Sequence, residues 1–498
     1  MAGESNLNLS PFLLLLLIPL IFLILKHLTQ IVSSRPPLPP GPQPWPLIGN
    51  LLHMVKKPHI KLTELTQTHG PLISLRLGTQ LLVVGSSPYT ASEILKSHDR
   101  ILSARHVPKV SPVPGPELEH RSLVWQSECG DRWKVLRTIC RTGLFSPKAI
   151  DGQSPIREKK VMEMVEYLAA KEGEVVNVAE AVFATVFNIL GNLLLSKDFI
   201  DLEDERAAGG LKGLIWRMME LGSTPNISDF YPILAGLDLQ GLKKKAWKCT
   251  RSMFAVWEVL LKERRQGRDG NASRRQDFLD VLLDNDFSDD QINSLILELF
   301  TAGTDTSTTT VEWAMAELIK NPEVMNNVRK ELESKIKEKV IRESDLPVLP
   351  YSQACVKETL RLHPPVPLLL PHRASENCKI MGYGIPKDTP VQVNVWAIGR
   401  EPTTWTNPLA FTPERFLISE LDYKGNHFEF IPFGAGRRIC PGLPMATRLV
   451  HFILACLIHN FEWSLPSEMN PIVLDMDEKF GVTLQKKEPL FLIPTVRR

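Results

Sequence analysis

The chain has 498 residues, of which 43% are hydrophobic and 23% are charged, so it can bury a large core. Lys and Arg total 58 against 56 for Asp and Glu, and this balanced charge gives no indication of nucleic-acid binding. Seven scattered cysteines without a C-x-x-C pair argue against a disulfide framework or a zinc site and suit a reducing compartment.

The first thirty residues contain an apolar segment, Phe12 to Leu25, that is almost continuous Leu, Ile and Phe. No Lys or Arg precedes it and no small-residue cleavage site follows it, which argues against a cleaved signal peptide. Basic residues follow instead, so we predict an uncleaved transmembrane anchor in residues 1–30 with its basic flank in the cytosol. The run is short for a span of about 20 residues, and a helix lying in the membrane interface is the alternative.

Residues 31–50 are rich in proline, most densely between Pro36 and Pro46. This composition predicts a stiff, extended spacer with no capacity to form a core. No long linker divides the chain afterwards, so residues 51–498 are predicted to form one large domain.

The next segments alternate between strand and helix patterns. Leu72 to Val84 predicts a β-hairpin turning at Gly78, and helical periodicity follows from Thr90 to Lys96 and again from Arg157. Between them, residues 103–122 carry four prolines and predict an irregular loop.

One long helix is predicted from Asp289 to Lys320, closed by Asn321 and Pro322. Its centre reads Ala302-Gly303-Thr304-Asp305-Thr306-Ser307. Glycine costs about 1 kcal/mol in a helix and threonine hydroxyls compete for backbone carbonyls, so we expect the helix to be locally opened here. A bend without chemistry is the alternative.

The most unusual stretch is Phe433-Gly434-Ala435-Gly436-Arg437-Arg438-Ile439-Cys440-Pro441-Gly442, directly before a predicted helix from Leu443 to Trp463. Its glycines indicate a tight, irregular backbone around one cysteine. A dinucleotide-binding loop would need a third glycine where Ile439 stands. An inert structural thiol and a thiolate ligand of heme iron both remain open.

The pattern Phe433-x-x-Gly436-x-Arg438-x-Cys440-x-Gly442 resembles the heme-binding signature of the cytochrome P450 family. The resemblance implies the cytochrome P450 fold, mainly α with a smaller β region, preceded by an N-terminal anchor helix. It also implies that Cys440 is the axial ligand of a heme b iron.

Further motifs resemble other elements of that family. Trp133-x-x-x-Arg137, whose residues share a helix face, would hold the heme propionates together with Arg373 and Arg438, although such a Trp/Arg pair is more often cation–π or surface packing. Ala302 and Gly303 would give room for O2, while Thr306 and Asp305 would pass protons, Asp305 taking them from solvent. Glu358, Arg361 and Arg415 would form a structural brace behind the heme.

The resemblance also places a substrate pocket. Val366, Leu369 and Val482 would line it, and the loop 103–122 would cover it. Glu298 shares a helix face with Ala302 and Thr306, so it would either meet a cationic amine or make a hydrogen bond within its own helix.

The implied partners follow from what the chain lacks. No flavin or nicotinamide motif is present, so electrons from NADPH would come from a separate NADPH-cytochrome P450 reductase. The resemblance implies a single-pass protein of the endoplasmic reticulum membrane that contacts lipid through its anchor, with a cytosolic catalytic domain and no nucleic-acid partner.

Stretches such as 98–105, 298–304 and 478–485 resemble a plant subfamily of alkaloid enzymes that includes N-methylcoclaurine 3'-hydroxylase and littorine mutase. This resemblance implies hydroxylation of a small, mainly apolar plant metabolite, most simply an alkaloid. The alternatives are oxidative rearrangement or phenol coupling of an alkaloid, terpenoid hydroxylation, and heme binding without catalysis.

Overall fold

A computed structural model of the chain describes residues 36–110, 122–203, 205–269, 277–338, 340–466 and 470–497. The predicted anchor in residues 1–30 lies outside these ranges, as does the greater part of the loop predicted at 103–122.

Helices make up most of the described chain, which confirms the predicted mainly α class. They are α1 (Pro58–His69), α2 (Pro88–Ser92), α3 (Asp99–Leu102), α4 (Asp131–Cys140), α5 (Pro147–Gly152), α6 (Ser154–Ala170), α7 (Val178–Leu195), α8 (Glu205–Ser223), α9 (Ile227–Phe230), α10 (Leu242–Asp269), α11 (Phe278–Asp284), α12 (Asp289–Lys320), α13 (Pro322–Lys335), α14 (Pro350–Leu362), α15 (Val395–Ile398) and α16 (Leu443–Asn460).

The smaller β region consists of short strands: β1 (Leu72–Leu77), β2 (Gln80–Gly85), β3 (Ala104–Arg105), β4 (Val176–Asn177), β5 (His372–Arg373), β6 (Cys378–Ile380), β7 (Tyr383–Ile385), β8 (Pro390–Val393), β9 (Phe461–Ser464), β10 (Glu478–Lys479), β11 (Gln485–Lys486) and β12 (Phe491–Val496). The largest sheet has the order β1-β2-β8-β5-β3, a second has the order β4-β12-β9, and β6-β7 and β10-β11 are separate pairs.

The predicted hairpin is confirmed as β1 and β2, which pair antiparallel from Leu72 opposite Gly85 to Leu77 opposite Gln80. Gly78 in its turn has φ +60°, a backbone conformation that glycine adopts without steric cost. β2 then pairs parallel with β8, and β8 pairs antiparallel with β5. This arrangement brings the chain after α14 back to the N-terminal hairpin.

Helix α12 has the predicted ends, because Ser288 and Gln291 form a capping box at its start and Pro322 follows its C-cap. The expected local opening is absent, since the helix is α-helical throughout. The Thr306 hydroxyl donates to the Ala302 carbonyl at 2.7 Å without displacing the helical ladder. Tertiary packing of α12 on α7 outweighs the weak local propensity.

Helix α16 ends at Asn460, three residues before the predicted end, because Phe461–Ser464 form β9 instead. Along β9 the buried Phe461 and Trp463 alternate with exposed residues, which is the period of a strand. β9 pairs antiparallel with β12, from Phe461 opposite Val496. The strand therefore ties the end of the chain to the end of α16.

The described part of the proline-rich segment, from residue 36, has no helix or strand, and hydrogen bonds hold it to the rest of the chain. The Pro37 carbonyl accepts from the Gly384 amide at 2.8 Å, and the Pro40 carbonyl accepts from the Ser74 amide at 2.8 Å. Gly41 lies so close to β1 that a Cβ there would be 1.9 Å from the Ser74 carbonyl oxygen. The described part of this segment, from residue 36, lies along the domain surface.

The main core surrounds α12, which packs along α7 and also against α16 and α14. Among the described residues, α7 and α16 are long and apolar enough to cross a membrane, but their apolar windows are 83% and 61% buried inside the protein. Core packing accounts for the composition of both helices. The cavity described next lies between α7, α12 and α16.

Candidate functional site

A cavity of about 280 Å³ lies where α12 faces the cysteine loop. It brings together residues that are widely separated in the chain. Most of the predicted site residues line it, namely Arg137, Glu298, Ala302, Gly303, Thr306, Val366, Leu369, Phe433, Arg438, Cys440 and Gly442.

The loop around Cys440 is held by backbone conformations that favour glycine. Gly434 and Gly436 have φ of +69° and +67°, and a Cβ on Gly436 would be 2.2 Å from the Leu95 carbonyl oxygen. The Cys440 amide donates to the Phe433 carbonyl at 3.0 Å, which closes the loop. The loop therefore presents one thiol to the cavity.

Two effects act on the Cys440 thiol. Burial raises its pKa, whereas hydrogen bonds from the Gly442 and Leu443 amides at the start of α16, together with the charge of Arg137, oppose this rise. Backbone donors and a nearby cation stabilise a thiolate, the form that binds a metal. Gly442 itself has φ −81° and its Cβ position is open to 3.8 Å, so the protein backbone alone does not require glycine there.

Three arginines line the same cavity: Arg105 and Arg438, which are buried, and Arg137, which is partly buried. The Arg438 guanidinium donates through Nε to the Ser103 carbonyl and through Nη2 to the Gln126 carbonyl, but its Nη1 is buried without a hydrogen-bond partner. Arg105 likewise leaves Nε buried and unpartnered.

Burial and the neighbouring Arg438 lower the pKa of Arg105 to about 9. Clustered cations with unsatisfied N–H groups are costly unless an anion joins them. Two of the side groups of heme b are propionates, each ending in a carboxylate, so the arginine cluster fits that cofactor.

Trp133 lies behind the arginines. Its indole N–H donates to the Leu123 carbonyl at 2.9 Å, and its ring centroid lies 4.7 Å from Arg438 Cζ and 5.2 Å from Arg137 Cζ. The ring therefore orients the two guanidinium groups through cation–π contacts. The indole N–H already donates to the Leu123 carbonyl. The direct contact with a propionate that was expected of Trp133 would require this hydrogen bond to break.

Arg373 is placed outside the cavity lining. Its Nη atoms bind Glu128 and Asp388, and its Nε donates to the Arg105 carbonyl at 3.2 Å. Its neighbour His372 lines the cavity instead. So does Arg105, the residue of β3 that lies opposite His372. Sequence reasoning missed Arg105, because only the pairing of β3 with β5 shows which residues share that face.

Asp305 does not line the cavity, although it adjoins Thr306. Asp305 is 3% exposed, and its carboxylate accepts hydrogen bonds from the Thr483 hydroxyl and from Gln485 Nε2 at 3.0 Å. Burial raises its pKa, and these two donors lower it. Direct proton uptake from solvent, expected from the sequence, does not fit this enclosed position.

Glu298 lines the cavity but is bonded to the segment before α4. Its carboxylate accepts from the Ser122 hydroxyl and from the Leu123 and Val124 amides, the latter two at 2.8 and 3.3 Å. The sequence predicted that Glu298 would either meet a cationic amine or make a hydrogen bond within its own helix. The partners in the structure are different, because they belong to residues 122–124. Burial raises the pKa of Glu298 to about 7 even though the hydrogen bonds oppose it.

A second cavity, of about 250 Å³, adjoins the first, and Val366, Leu369 and Leu370 line both. Val482, predicted as a pocket residue, lines this second cavity together with Phe480. Leu369 has φ +51°, which is rare for a residue with a large side chain. Both cavities are mainly apolar in their lining residues.

Glu358, Arg361 and Arg415 meet in one buried network. Arg361 binds both carboxylate oxygens of Glu358, at 2.7 and 2.6 Å, and Arg415 Nε binds it at 3.1 Å. The remaining Arg361 donors bind the carbonyls of residues 399, 408 and 410. The network joins α14 to the chain that precedes the cysteine loop, which is the position expected of a brace.

Comparisons with known proteins agree with this site. The family model described as Cytochrome P450 matches residues 39–493. The chain is 51% identical to (S)-N-methylcoclaurine 3'-hydroxylase isozyme 1 of Papaver somniferum, covering 93% of this chain and 96% of the relative. It is 53% identical to a probable isozyme 2 of the same hydroxylase from Coptis japonica, over 93% and 95%. Corytuberine synthase of Coptis japonica is 48% identical, over 97% and 99%.

Proposed function

The chain belongs to the cytochrome P450 family, and from that premise we propose that it is a heme-thiolate monooxygenase that hydroxylates a small, mainly apolar alkaloid. The observation that carries the proposal is the single thiol of Cys440 presented to a cavity whose other walls are the arginine cluster and the Ala302–Thr306 face of α12.

The residues have separate tasks around the cofactor. Cys440 would hold the iron of heme b as a thiolate, and Arg105, Arg137 and Arg438 would pair with its carboxylates. Phe433, Gly434 and Gly436 shape the loop that carries the sulfur. When bound, heme b supplies the iron chemistry that activates O2 and inserts one oxygen atom into a C–H bond.

The protein has to deliver protons to the cavity. Thr306 presents its hydroxyl there, and this hydroxyl can exchange its bond to the Ala302 carbonyl for one to a proton acceptor in the cavity. Asp305 would pass protons to Thr306 from the adjoining position on α12. Hydrogen bonds from Thr483 and Gln485 would hold its carboxyl group in place. The mainly apolar residues that line the cavity would limit the access of bulk water to the reacting atoms.

The substrate class is supported by two lines. The second cavity extends the first with apolar residues such as Val366, Leu369 and Val482, and such a lining suits a ligand with much hydrocarbon surface. The relatives reported above include hydroxylases named for the alkaloid N-methylcoclaurine. We assign the chain an alkaloid of comparable size.

Electrons would come from a membrane-bound NADPH-cytochrome P450 reductase. The apolar segment at residues 12–25 would anchor the protein once in the endoplasmic reticulum membrane, with the catalytic domain in the cytosol.

The test begins with microsomes containing the full chain. The reduced carbonyl complex should absorb near the long-wavelength Soret position that thiolate ligation produces, and Cys440→Ala should abolish that band. Cys378→Ala, which removes another partly exposed cysteine, is the matched control and should keep it. A band that survives Cys440→Ala would overturn the ligand assignment.

Turnover with reductase, NADPH and a panel of amine alkaloids and monoterpenols then tests the reaction. Hydroxylation adds one oxygen atom to the product mass. NADPH consumption with terpenols alone would overturn the alkaloid assignment, and heme binding without NADPH consumption on any ligand would overturn the proposal of an enzyme.

Oxidative coupling or rearrangement of an alkaloid is the second candidate. It is favoured by the 48% identity to a relative whose name, corytuberine synthase, does not denote a hydroxylase. A product with no added oxygen in the same assay would decide for it.

A further inference from the structure

Glu298 is the single acidic side chain among the described residues that line either cavity. The charged groups that share the first cavity with it are the three arginines already described. A cationic substrate would therefore depend on Glu298 for a counter-charge from the described lining.

The carboxylate of Glu298 is already engaged. Oε1 accepts from the Ser122 hydroxyl, and Oε2 accepts from the amides of Leu123 and Val124. Three hydrogen bonds already occupy this carboxylate and Glu298 is 6% exposed, so little of its hydrogen-bonding capacity is left for a ligand. An ammonium group would have to compete with the Leu123 and Val124 amides for Oε2.

The bonded segment is itself part of the cavity wall. Leu123 and Val124 line the first cavity. The Leu123 carbonyl accepts from the Trp133 indole, and the Gln126 carbonyl accepts from Arg438. Glu298 thus fixes residues 122–126, a segment that also sets the Trp133 and Arg438 side chains.

We propose that Glu298 is a positioning residue that fixes the Leu123–Val124 wall, and that an amine substrate binds as its uncharged free base. The proposal rests on the proposed alkaloid function. The carboxylate is used to order the wall, so recognition of the substrate comes from apolar shape. Among the described residues, the lining offers a permanently charged analogue no free carboxylate.

The test compares three ligands of one benzylisoquinoline skeleton by Soret titration of the microsomal protein: the tertiary amine, its quaternary N-methyl salt and its uncharged N-acyl derivative. We expect the quaternary salt to bind at least about tenfold more weakly than the uncharged derivative, which corresponds to about 1.4 kcal/mol. The affinity for the tertiary amine should rise with pH until the amine is deprotonated. Equal or tighter binding of the quaternary salt would overturn the proposal.

Variants separate positioning from charge recognition. Glu298→Gln keeps the size of the side chain but replaces one acceptor by a donor, so it should weaken the tertiary amine and the N-acyl derivative by the same factor, within about twofold. A loss confined to the amine would show that Glu298 is its counterion and overturn the proposal. Ser122→Ala leaves the carboxylate in place. It should lower the affinity for both ligands by one common factor, which should be smaller than the factor for Glu298→Gln.

Hydrogen exchange gives a readout that does not need a ligand. Glu298→Leu, which removes both carboxylate oxygens, should speed exchange of a peptide covering residues 122–126 at least about tenfold, because the Leu123 and Val124 amides lose their acceptor. Asp289→Leu, the same loss of a carboxylate at an exposed position of α12, should leave that peptide unchanged. Unaltered exchange in Glu298→Leu would overturn the positioning role.

The reduced carbonyl spectrum keeps this test distinct from the proposed function. A variant with the thiolate band but without the expected exchange contradicts the role of Glu298 alone. A wild-type protein without the band contradicts the proposed function, whereas its exchange pattern still tests Glu298. Should the Glu298 variants fail to fold, Ser122→Ala provides both the binding and the exchange measurement, because it removes the hydroxyl that bonds Glu298 Oε1 and accepts from the Trp125 amide.

Discussion

Asp305 in the middle of α12 and Thr483 in the turn between β10 and β11 share a buried hydrogen bond across 178 residues of chain. Gln485 Nε2 donates to the same carboxylate at 3.0 Å, and the Trp313 indole donates to the Leu484 carbonyl at 3.1 Å. The turn that carries Val482 into the second cavity is therefore fastened directly to the helix that carries Thr306.

Breaking this contact should alter substrate binding as well as turnover. Thr483→Val keeps the Asp305 carboxylate and removes one donor, so the turn should loosen and KM should rise several-fold. Loss of a buried hydrogen bond should also lower the stability by about 1–3 kcal/mol. Steady-state kinetics and thermal unfolding of the heme-loaded protein measure the two effects.

The comparison with Asp305→Asn separates fastening from proton transfer. If Asp305 serves only to hold the turn, both variants should raise KM and leave NADPH consumption coupled to product. If it also passes protons, Asp305→Asn alone should lower kcat and release hydrogen peroxide. Wild-type KM in Thr483→Val would contradict the fastening role.

The sequence alone predicts what depends on local rules. The end of α12 follows from Asn321 and Pro322, the first hairpin follows from alternation around Gly78, and the irregular cysteine loop follows from Gly434 and Gly436. These features depend on backbone preferences that act over a few residues. The mainly α architecture, by contrast, was implied by the resemblance of the Cys440 motif to the cytochrome P450 signature.

What the sequence could not predict depends on the pairing of distant segments. Arg105 takes the cavity position expected of Arg373 because β3 meets β5 in a register that only the folded sheet defines. The partners of Glu298 lie about 175 residues away. A helical pattern predicts on which face of the helix a side chain lies. It does not predict which loop covers that face.

The Glu358–Arg361 pair should be the most sensitive point of the brace. Both side chains are fully buried, so Glu358→Gln leaves the Arg361 charge without its partner and should cost about 3–5 kcal/mol. We expect a large loss of bound heme, measured by the reduced carbonyl spectrum per mole of protein.

An exposed pair of the same spacing provides the control. Lys61 and Glu64 lie 2.7 Å apart in α1, with side chains 43% and 56% exposed. Glu64→Gln should change the stability by less than about 1 kcal/mol and leave heme content unchanged. Equal effects of the two substitutions would show that the brace is not needed to retain the cofactor.

Gly436→Ala should prevent the cysteine loop from closing. An alanine there combines a left-handed backbone with a Cβ only 2.2 Å from the Leu95 carbonyl oxygen. Gly434→Ala shares the left-handed backbone, but its nearest neighbour would be Leu369 Cδ1 at 3.6 Å. The second variant therefore carries only the conformational cost of about 1–2 kcal/mol.

We expect Gly434→Ala to retain most of its heme at 25 °C and Gly436→Ala to lose most of it. Heme content and the melting temperature of both variants measure the difference. Greater damage from Gly434→Ala would mean that the contact with Leu95 does not set the loop.

Glu298 should give the stability of the protein an unusual dependence on pH. Its folded pKa of about 7 lies above the ordinary value of 4.5, so between these values the folded chain keeps a proton that the unfolded chain releases. The free energy of unfolding should then fall as pH rises from 4.5 to 7, by up to about 3 kcal/mol, and this contribution should stay level above pH 7. Glu298→Gln cannot titrate and should lack this contribution.

The melting temperature of the wild type minus that of the variant, measured at pH 5, 6, 7 and 8, should decrease up to pH 7 and then stay constant. A difference that grows from pH 5 to 7 would mean that hydrogen bonds from the 122–124 segment hold the carboxylate ionised, with a pKa below its ordinary value.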